Sequence, residues 1–161
     1  KAIAILSGPK VTGTVTLSQP TATGATYITG RISGLDGSAL RGFHVHEFGD
    51  VSQGCMGAGG HFNPYSKDHG GPHDADRHVG EWSIDVKMSN QGGVVDLSIE
   101  DKLVQLNGPL TVLGRAIVIH SGTDDVGRGN NPASKQNGNA GGRDACGIIG
   151  TEHKQAFVVQ G

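Results

Sequence analysis

Val11-Thr12-Gly13-Thr14-Val15-Thr16-Leu17-Ser18 alternates two kinds of residue. In an extended chain Val11, Val15 and Leu17 share one face, and Thr12, Thr14, Thr16 and Ser18 share the other. That period of two marks a half-buried β-strand. It recurs in Trp82–Lys87, where Trp82, Ile84 and Val86 alternate with Ser83, Asp85 and Lys87. Ala2–Leu6, Ala25–Ile32, Leu40–His46, Val94–Ile99, Lys102–Leu106, Leu113–His120 and Phe157–Gln160 also read as short strands. Turn signals separate them: Ser7-Gly8-Pro9, Gly34–Ser38, Asn90-Gln91-Gly92-Gly93 and Asn107-Gly108-Pro109. No segment sustains a 3.6-residue period. Glycine accounts for 28 of 161 residues, and each one inside a helix costs roughly 1 kcal/mol relative to Ala. The fold class is therefore all-β, a sandwich or barrel. The length fits a single domain over residues 1–161.

The net charge is −2, which argues against a general nucleic-acid or membrane-surface partner. No stretch of 18 apolar residues is present to span a membrane. Two cysteines, Cys55 and Cys146, are too few for a disulfide scaffold or a zinc finger. Eight histidines ask for an explanation.

Two stretches are too long for a simple meander. Glu47–Gly80 and Ser121–Asp144 are rich in Gly, Asn, Asp and His, and both exceed the roughly 12–15 residues beyond which a loop is usually functional or disordered. They hold or flank most of the histidines and both cysteines, so function is the reading taken.

In Gly42-Phe43-His44-Val45-His46 the two histidines project to one face of a strand, and Phe43 and Val45 to the opposite, core face. Such a pair can chelate one metal, although alone it is more often two surface histidines. His120 ends another strand; its face carries Ala116 and Val118, with Ile117 and Ile119 opposite. His61, His69 and His78 are spaced along the first long loop. Three neutral imidazoles and a carboxylate suit tetrahedral zinc, and four imidazoles in a flattened arrangement suit Cu(II). A surface reading suffices for any one of these six histidines but not for all six together. His73 and His153 fall outside the pattern and read as surface residues.

At these residues the sequence resembles the copper/zinc superoxide dismutase family. The resemblance is carried by GFHVHEFGD at 42–50, GGHFNP at 59–64, HGGPHDADRHVGE at 69–81, HSGTDDVGRG at 120–129 and GNAGGRDACGIIG at 138–150. It implies a flattened eight-stranded Greek-key barrel with two long functional loops. It implies copper on His44, His46, His61 and His120, and zinc on His61, His69, His78 and the acidic residue at 81, with His61 bridging the two. It further implies a Cys55–Cys146 disulfide, Asp124 as a carboxylate tying His44 to His69, and Arg143 as a guanidinium beside the copper. The implied reaction is the dismutation of superoxide to dioxygen and hydrogen peroxide, with His61 and Arg143 catalytic. Lys135 and Arg128 are further candidates for attracting the anion.

Two departures from the family pattern stand out. Glu81 occupies the fourth zinc position, where the family carries Asp, and is one methylene longer. Pro132 and Ala133 stand where many relatives carry acidic residues. The resemblance also implies a two-fold dimer, with Phe48, Gly49, Gly114 and Ile148 fitting its surface, and a copper chaperone as a partner in maturation. Residues 151–161 read as a C-terminal extension.

The alternative is a non-catalytic dismutase-like domain, either the docking domain of a copper chaperone or a metal-binding module. Such a chaperone would carry a CxxC-bearing domain, and this chain has no CxxC. Compartment is not legible; the missing initial Met and the tail tilt the expectation to extracellular.

Overall fold

The computed structural model describes residues 1–35, 40–85 and 93–153. The alternating segments become strands: β1 (Ala2–Ser7), β2 (Thr12–Ser18), β3 (Thr26–Ser33), β4 (Leu40–His46), β5 (Glu81–Asp85), β6 (Val95–Asp101), β7 (Ala116–Thr123), β8 (Arg143–Ile148) and the two-residue β9 (Gly150–Thr151). Eight of them lie in one antiparallel sheet in the order β5-β4-β7-β8-β1-β2-β3-β6, and β9 pairs with β1. β3 and β4 follow one another in the chain yet stand far apart in the sheet, as do β6 and β7, which is Greek-key connectivity.

The sheet curls around one apolar core. Leu6, Val15, Leu17, Ile28, Ile32, Phe43, Val45, Trp82, Leu97, Ile117, Ile119 and Ala145 meet inside it. The two end strands, β5 and β6, are tied by a side chain: Trp82 Nε1–H donates to Asp101 Oδ2 at 2.8 Å. A second, smaller cluster of Ala58, Ala116, Val118 and Cys146 lies on the outer face of β7 and β8. The long first loop covers this face, and the Cys55–Cys146 disulfide pins it there. β7 is thus buried on both faces, so its sequence reads as a nearly continuous apolar run.

Some boundaries differ from expectation. Lys102–Leu106 forms no strand, because the Asp101 carboxylate accepts the N–H groups of Leu103 and Val104 at 2.6 and 3.0 Å and turns the chain. Only an isolated bridge joins Gln105 to Thr111. The strand expected from Leu113 starts instead at Ala116, after Gly114 turns with φ 82°. Both long loops contain one turn of helix, a 3-10 turn at Cys55–Ala58 and α1 at Ser134–Asn137. The strand expected at Phe157–Gln160, the end of the Trp82–Lys87 strand, most of the 151–161 extension and parts of two turns lie outside the described residues.

Candidate metal centre

Strand pairing brings the ligand-type residues together. On β4, His44 lies opposite Val118 of β7 and opposite Glu81 of β5, and His46 lies opposite Ala116. The first loop then runs back along β4. Glu47 N–H donates to Gly60 O at 2.9 Å and Phe62 N–H to Val45 O at 2.9 Å, which brings His61 against His46. Val79 N–H donates to Phe62 O and Val45 N–H to Gly80 O, which brings in His78 and Glu81. The His69 N–H donates to Lys135 O at 2.8 Å, joining the first loop to α1 in the second. His44, His46, His61, His69, His78, Glu81, His120 and Asp124 are all buried. His73 and His153 are exposed.

The hydrogen bonds fix which nitrogens are free. His46 Nδ1–H donates to Gly59 O at 2.8 Å and His120 Nδ1–H to Gly141 O at 3.2 Å. Burial, the nearest histidines and Arg143 act on this pair. Burial and the charge on His61 push His46 well down. Burial is also the main cause that lowers His120, to about 4, with the Arg143 charge among the lesser ones. Both rings are therefore neutral, and each presents a bare Nε2 lone pair. Those two Nε2 atoms stand 3.2 Å apart. Lone pair faces lone pair, an arrangement that a shared cation relieves.

Asp124 repeats the logic. It lies well below the usual carboxylate range: burial opposes ionisation, but bonds from His44 and His69 outweigh it. It accepts His44 Nε2–H and His69 Nε2–H, each at 2.7 Å. Nδ1 of His44 is left as a free nitrogen, buried without a hydrogen-bond partner, whereas Nδ1 of His69 turns to the Glu81 carboxylate. Burial, followed by the charge on His61, lowers His44 to about 3, so it keeps that lone pair in neutral water. A Cβ at residue 138, in Gly138, would strike Asp124 Oδ1 and His69 Nε2, and its φ of 72° is in the left-handed region, so glycine is required there.

His61 has no tie to the backbone and offers both ring nitrogens. Nε2 is buried and unpartnered. Nδ1 is 2.8 Å from Glu81 Oε1 and 3.1 Å from His78 Nδ1. Glu81 also meets His69 Nδ1 and lies 3.6 Å from His78 Nδ1. Neither Glu81 oxygen has a conventional hydrogen-bond partner. Burial alone would push His69 down, but the Asp124 and Glu81 carboxylates hold it up to about 9. The pocket so described draws in a cation.

One donor atom each from His44, His46, His61 and His120 lies within 4.8 Å of the others, and the same holds for His44, His61, His69 and Glu81. His44 stands in both sets but has one nitrogen to give, since Nε2 is held by Asp124. His61 also stands in both sets and has no nitrogen so held, so it can turn one to each. Asp74 and Asp76 lie outside the centre: Asp74 pairs with Arg128 at 2.7 Å, and Asp76 is exposed near Lys67.

The comparisons agree with this chemistry. The family model described as copper/zinc superoxide dismutase (SODC) matches residues 11–149. The chain belongs to the copper/zinc superoxide dismutase family. It is 52% identical over 151 residues to the Cu-Zn superoxide dismutase of Candida glabrata, covering 93% of this chain and 97% of that one. It is 52% identical to the Talaromyces marneffei enzyme and 49% identical to that of Humicola lutea, with the same coverage.

In this family member Arg143 stands opposite His120 in the β7–β8 ladder and is half-buried. Its Nη1–H donates to Cys55 O at 2.9 Å. The disulfide thus holds the carbonyl that holds the guanidinium. Lys135 is exposed, whereas the Arg128 guanidinium is engaged by Asp74 and by Val126 O. Sequence reasoning passes over three further contributors. The Gly59 and Gly141 carbonyls that set the His46 and His120 tautomers carry no sequence signal. Arg41 does carry one: the parity that turns Phe43 and Val45 inward turns Arg41 inward too, and it is 1% exposed.

Proposed function

We propose that this chain is a copper/zinc superoxide dismutase working as a single domain, in which two superoxide anions and two protons become dioxygen and hydrogen peroxide. The reading rests most on the buried array of bare imidazole lone pairs centred on His61. Copper would be held by His44 Nδ1, His46 Nε2, His61 Nε2 and His120 Nε2, and zinc by His61 Nδ1, His69 Nδ1, His78 Nδ1 and Glu81. Copper supplies one-electron exchange in both directions, and zinc, which has no accessible redox change, supplies a fixed positive charge.

The chain's own groups do the rest. Asp124 locks His44 and His69 in the tautomers that point Nδ1 at the metals. Gly59 O and Gly141 O do the same for His46 and His120. One proton delivered to the second superoxide as it is reduced would come from His61 Nε2, which can carry it only while that nitrogen is not a copper donor, and the other from water. Arg143 is a permanent planar donor for the anion. The net charge of −2 repels superoxide at long range, so a local positive field is needed to raise the encounter rate. Measuring copper and zinc per chain together with dismutase activity tests the whole reading; a chain carrying both metals and no activity would refute it.

Arg143→Ala is expected to cut the second-order rate about 10-fold and to flatten its ionic-strength dependence, with both metals retained. Rates measured across a salt series decide this, and an unchanged slope would remove Arg143 from substrate guidance.

Glu81→Gln is expected to weaken zinc by at least the roughly 10–100-fold that loss of an outer-shell partner costs, with copper affinity largely kept. Glu81→Asp should retain zinc. Chelator competition reads both, and full zinc affinity in Glu81→Gln would exclude the carboxylate as a ligand.

The chain is also expected to form a homodimer. Phe48 and Ile148 are exposed. Gly49 packs against Gly114 O, with Ile148 alongside. A two-fold partner would cover this apolar surface. Copper loading by a chaperone during maturation fits a centre buried under its own loops.

A further inference from the structure

One fully buried charge lies outside the proposed ligand sets. Arg41 sits on the core face of β4 beside Phe43 and is 1% exposed. Its Nε–H donates to the His120 carbonyl at 2.7 Å, and its Nη2–H to Asp144 Oδ2. One guanidinium therefore grips three strands: its own β4, β7 at His120 and β8 at Asp144.

It does so where both ladders are irregular. The β4–β7 register shifts between Arg41 and Phe43, opposite the segment that contains His120. The β7–β8 register shifts between Ile119 and His120. Ile119 faces Ala145 and His120 faces Arg143, so Asp144 is the extra, bulged residue. Bulges re-aim side chains, and a bulge is held only as firmly as the contacts that pin it. At this one His120 and Arg143 leave the strands side by side.

We propose that Arg41 is a positioning residue that fixes the direction of His120 and Arg143 together, by holding the His120 carbonyl and the bulged Asp144 in one planar fork. The proposal rests on the reading of His120 as a copper ligand. A planar guanidinium can hold two acceptors at a set angle, whereas a lysine ammonium is a single point on a flexible stem. Charge alone is therefore not enough at this position. Asp144 is reachable from solvent, its side chain 33% exposed, so the same fork can be opened from its outer end.

The test uses the copper- and zinc-loaded protein with its disulfide intact. Arg41→Lys is expected to bind both metals but to change the Cu(II) electron paramagnetic resonance spectrum and lower the second-order rate about 10-fold, short of the 10²-fold that an ångström of misplacement can cost. Asp144→Asn is expected to move the same spectral parameters in the same direction by less. If Arg41→Lys does not fold, Asp144→Asn alone decides. Folded variants with the unaltered spectrum and only a lower melting temperature would overturn the proposal, leaving Arg41 a prop for the barrel. His120→Ala separates the two readings. A copper spectrum that His120→Ala leaves unmoved strikes the ligand assignment itself. A spectrum moved by His120→Ala but unmoved by Arg41→Lys and Asp144→Asn strikes the positioning role alone.

Discussion

Replacing His61 with alanine is expected to abolish dismutation and to weaken both metals at once. His44, His46, His69 and His120 each have one nitrogen held by Asp124 or by a backbone carbonyl. His61 has Nε2 buried and bare on one side, and Nδ1 within 2.8 Å of Glu81 and 3.1 Å of His78 on the other. On the proposed assignment its loss would leave three donors around each ion, and would remove the nitrogen proposed to hand a proton to the departing peroxide. A positioned proton donor contributes roughly 10²–10⁴-fold, and the lost redox geometry adds to that. The ring lies outside the apolar core, so the sheet should still form. Metal analysis, circular dichroism and an activity assay at matched copper content measure the outcome together. His44→Val is the control: it removes a copper donor and leaves His61, His69, His78 and Glu81 to hold zinc. Full activity with full metal in His61→Ala would end the bridging assignment.

Opening the Cys55–Cys146 disulfide should produce the largest loss of stability. The bridge spans 91 positions. In the chain-entropy model a crosslink of that reach is worth roughly 4–5 kcal/mol. For a chain of this size that corresponds to a fall of roughly 8–20 °C in melting temperature. The comparison is made on metal-free protein, because bound metal adds its own stabilisation by mass action. Cys55→Ser should match chemical reduction. A second effect is local. Cys55 O accepts the Arg143 N–H, so the released loop lets the guanidinium wander. The metal-loaded, disulfide-free protein should be slower as well as less stable. Equal melting of the oxidised and reduced metal-free forms would refute the stabilising role.

Much of this was legible in the sequence because the period of a strand is strict. Parity alone put His44 and His46 on one face and Phe43 and Val45 on the other, which is how they stand. β7 was less legible, because Ala116–His120 is buried on both faces by two different clusters and shows no alternation. Lys102–Leu106 looked like a short strand because Leu103, Val104 and Leu106 make it apolar, yet the Asp101 side chain captured two backbone N–H groups and turned the chain. The helical turns at Cys55–Ala58 and Ser134–Asn137 are too short to show a period. The carbonyls of Gly59 and Gly141 act through the backbone, to which residue type gives no access. Arg41 was hidden for another reason: a charged residue in a strand is ordinarily assigned to solvent, and its partners, His120 O and Asp144, are distant in sequence.

The bond between Trp82 and Asp101 has one more consequence. It joins the two end strands, where the described residues show no ladder. The chain has a single tryptophan, and it is this one. A buried indole emits at shorter wavelength than one in water. Indole emission from this protein therefore comes from the seam, and its colour reports whether the seam is shut. Opening between β5 and β6 can be watched in solution, without a label.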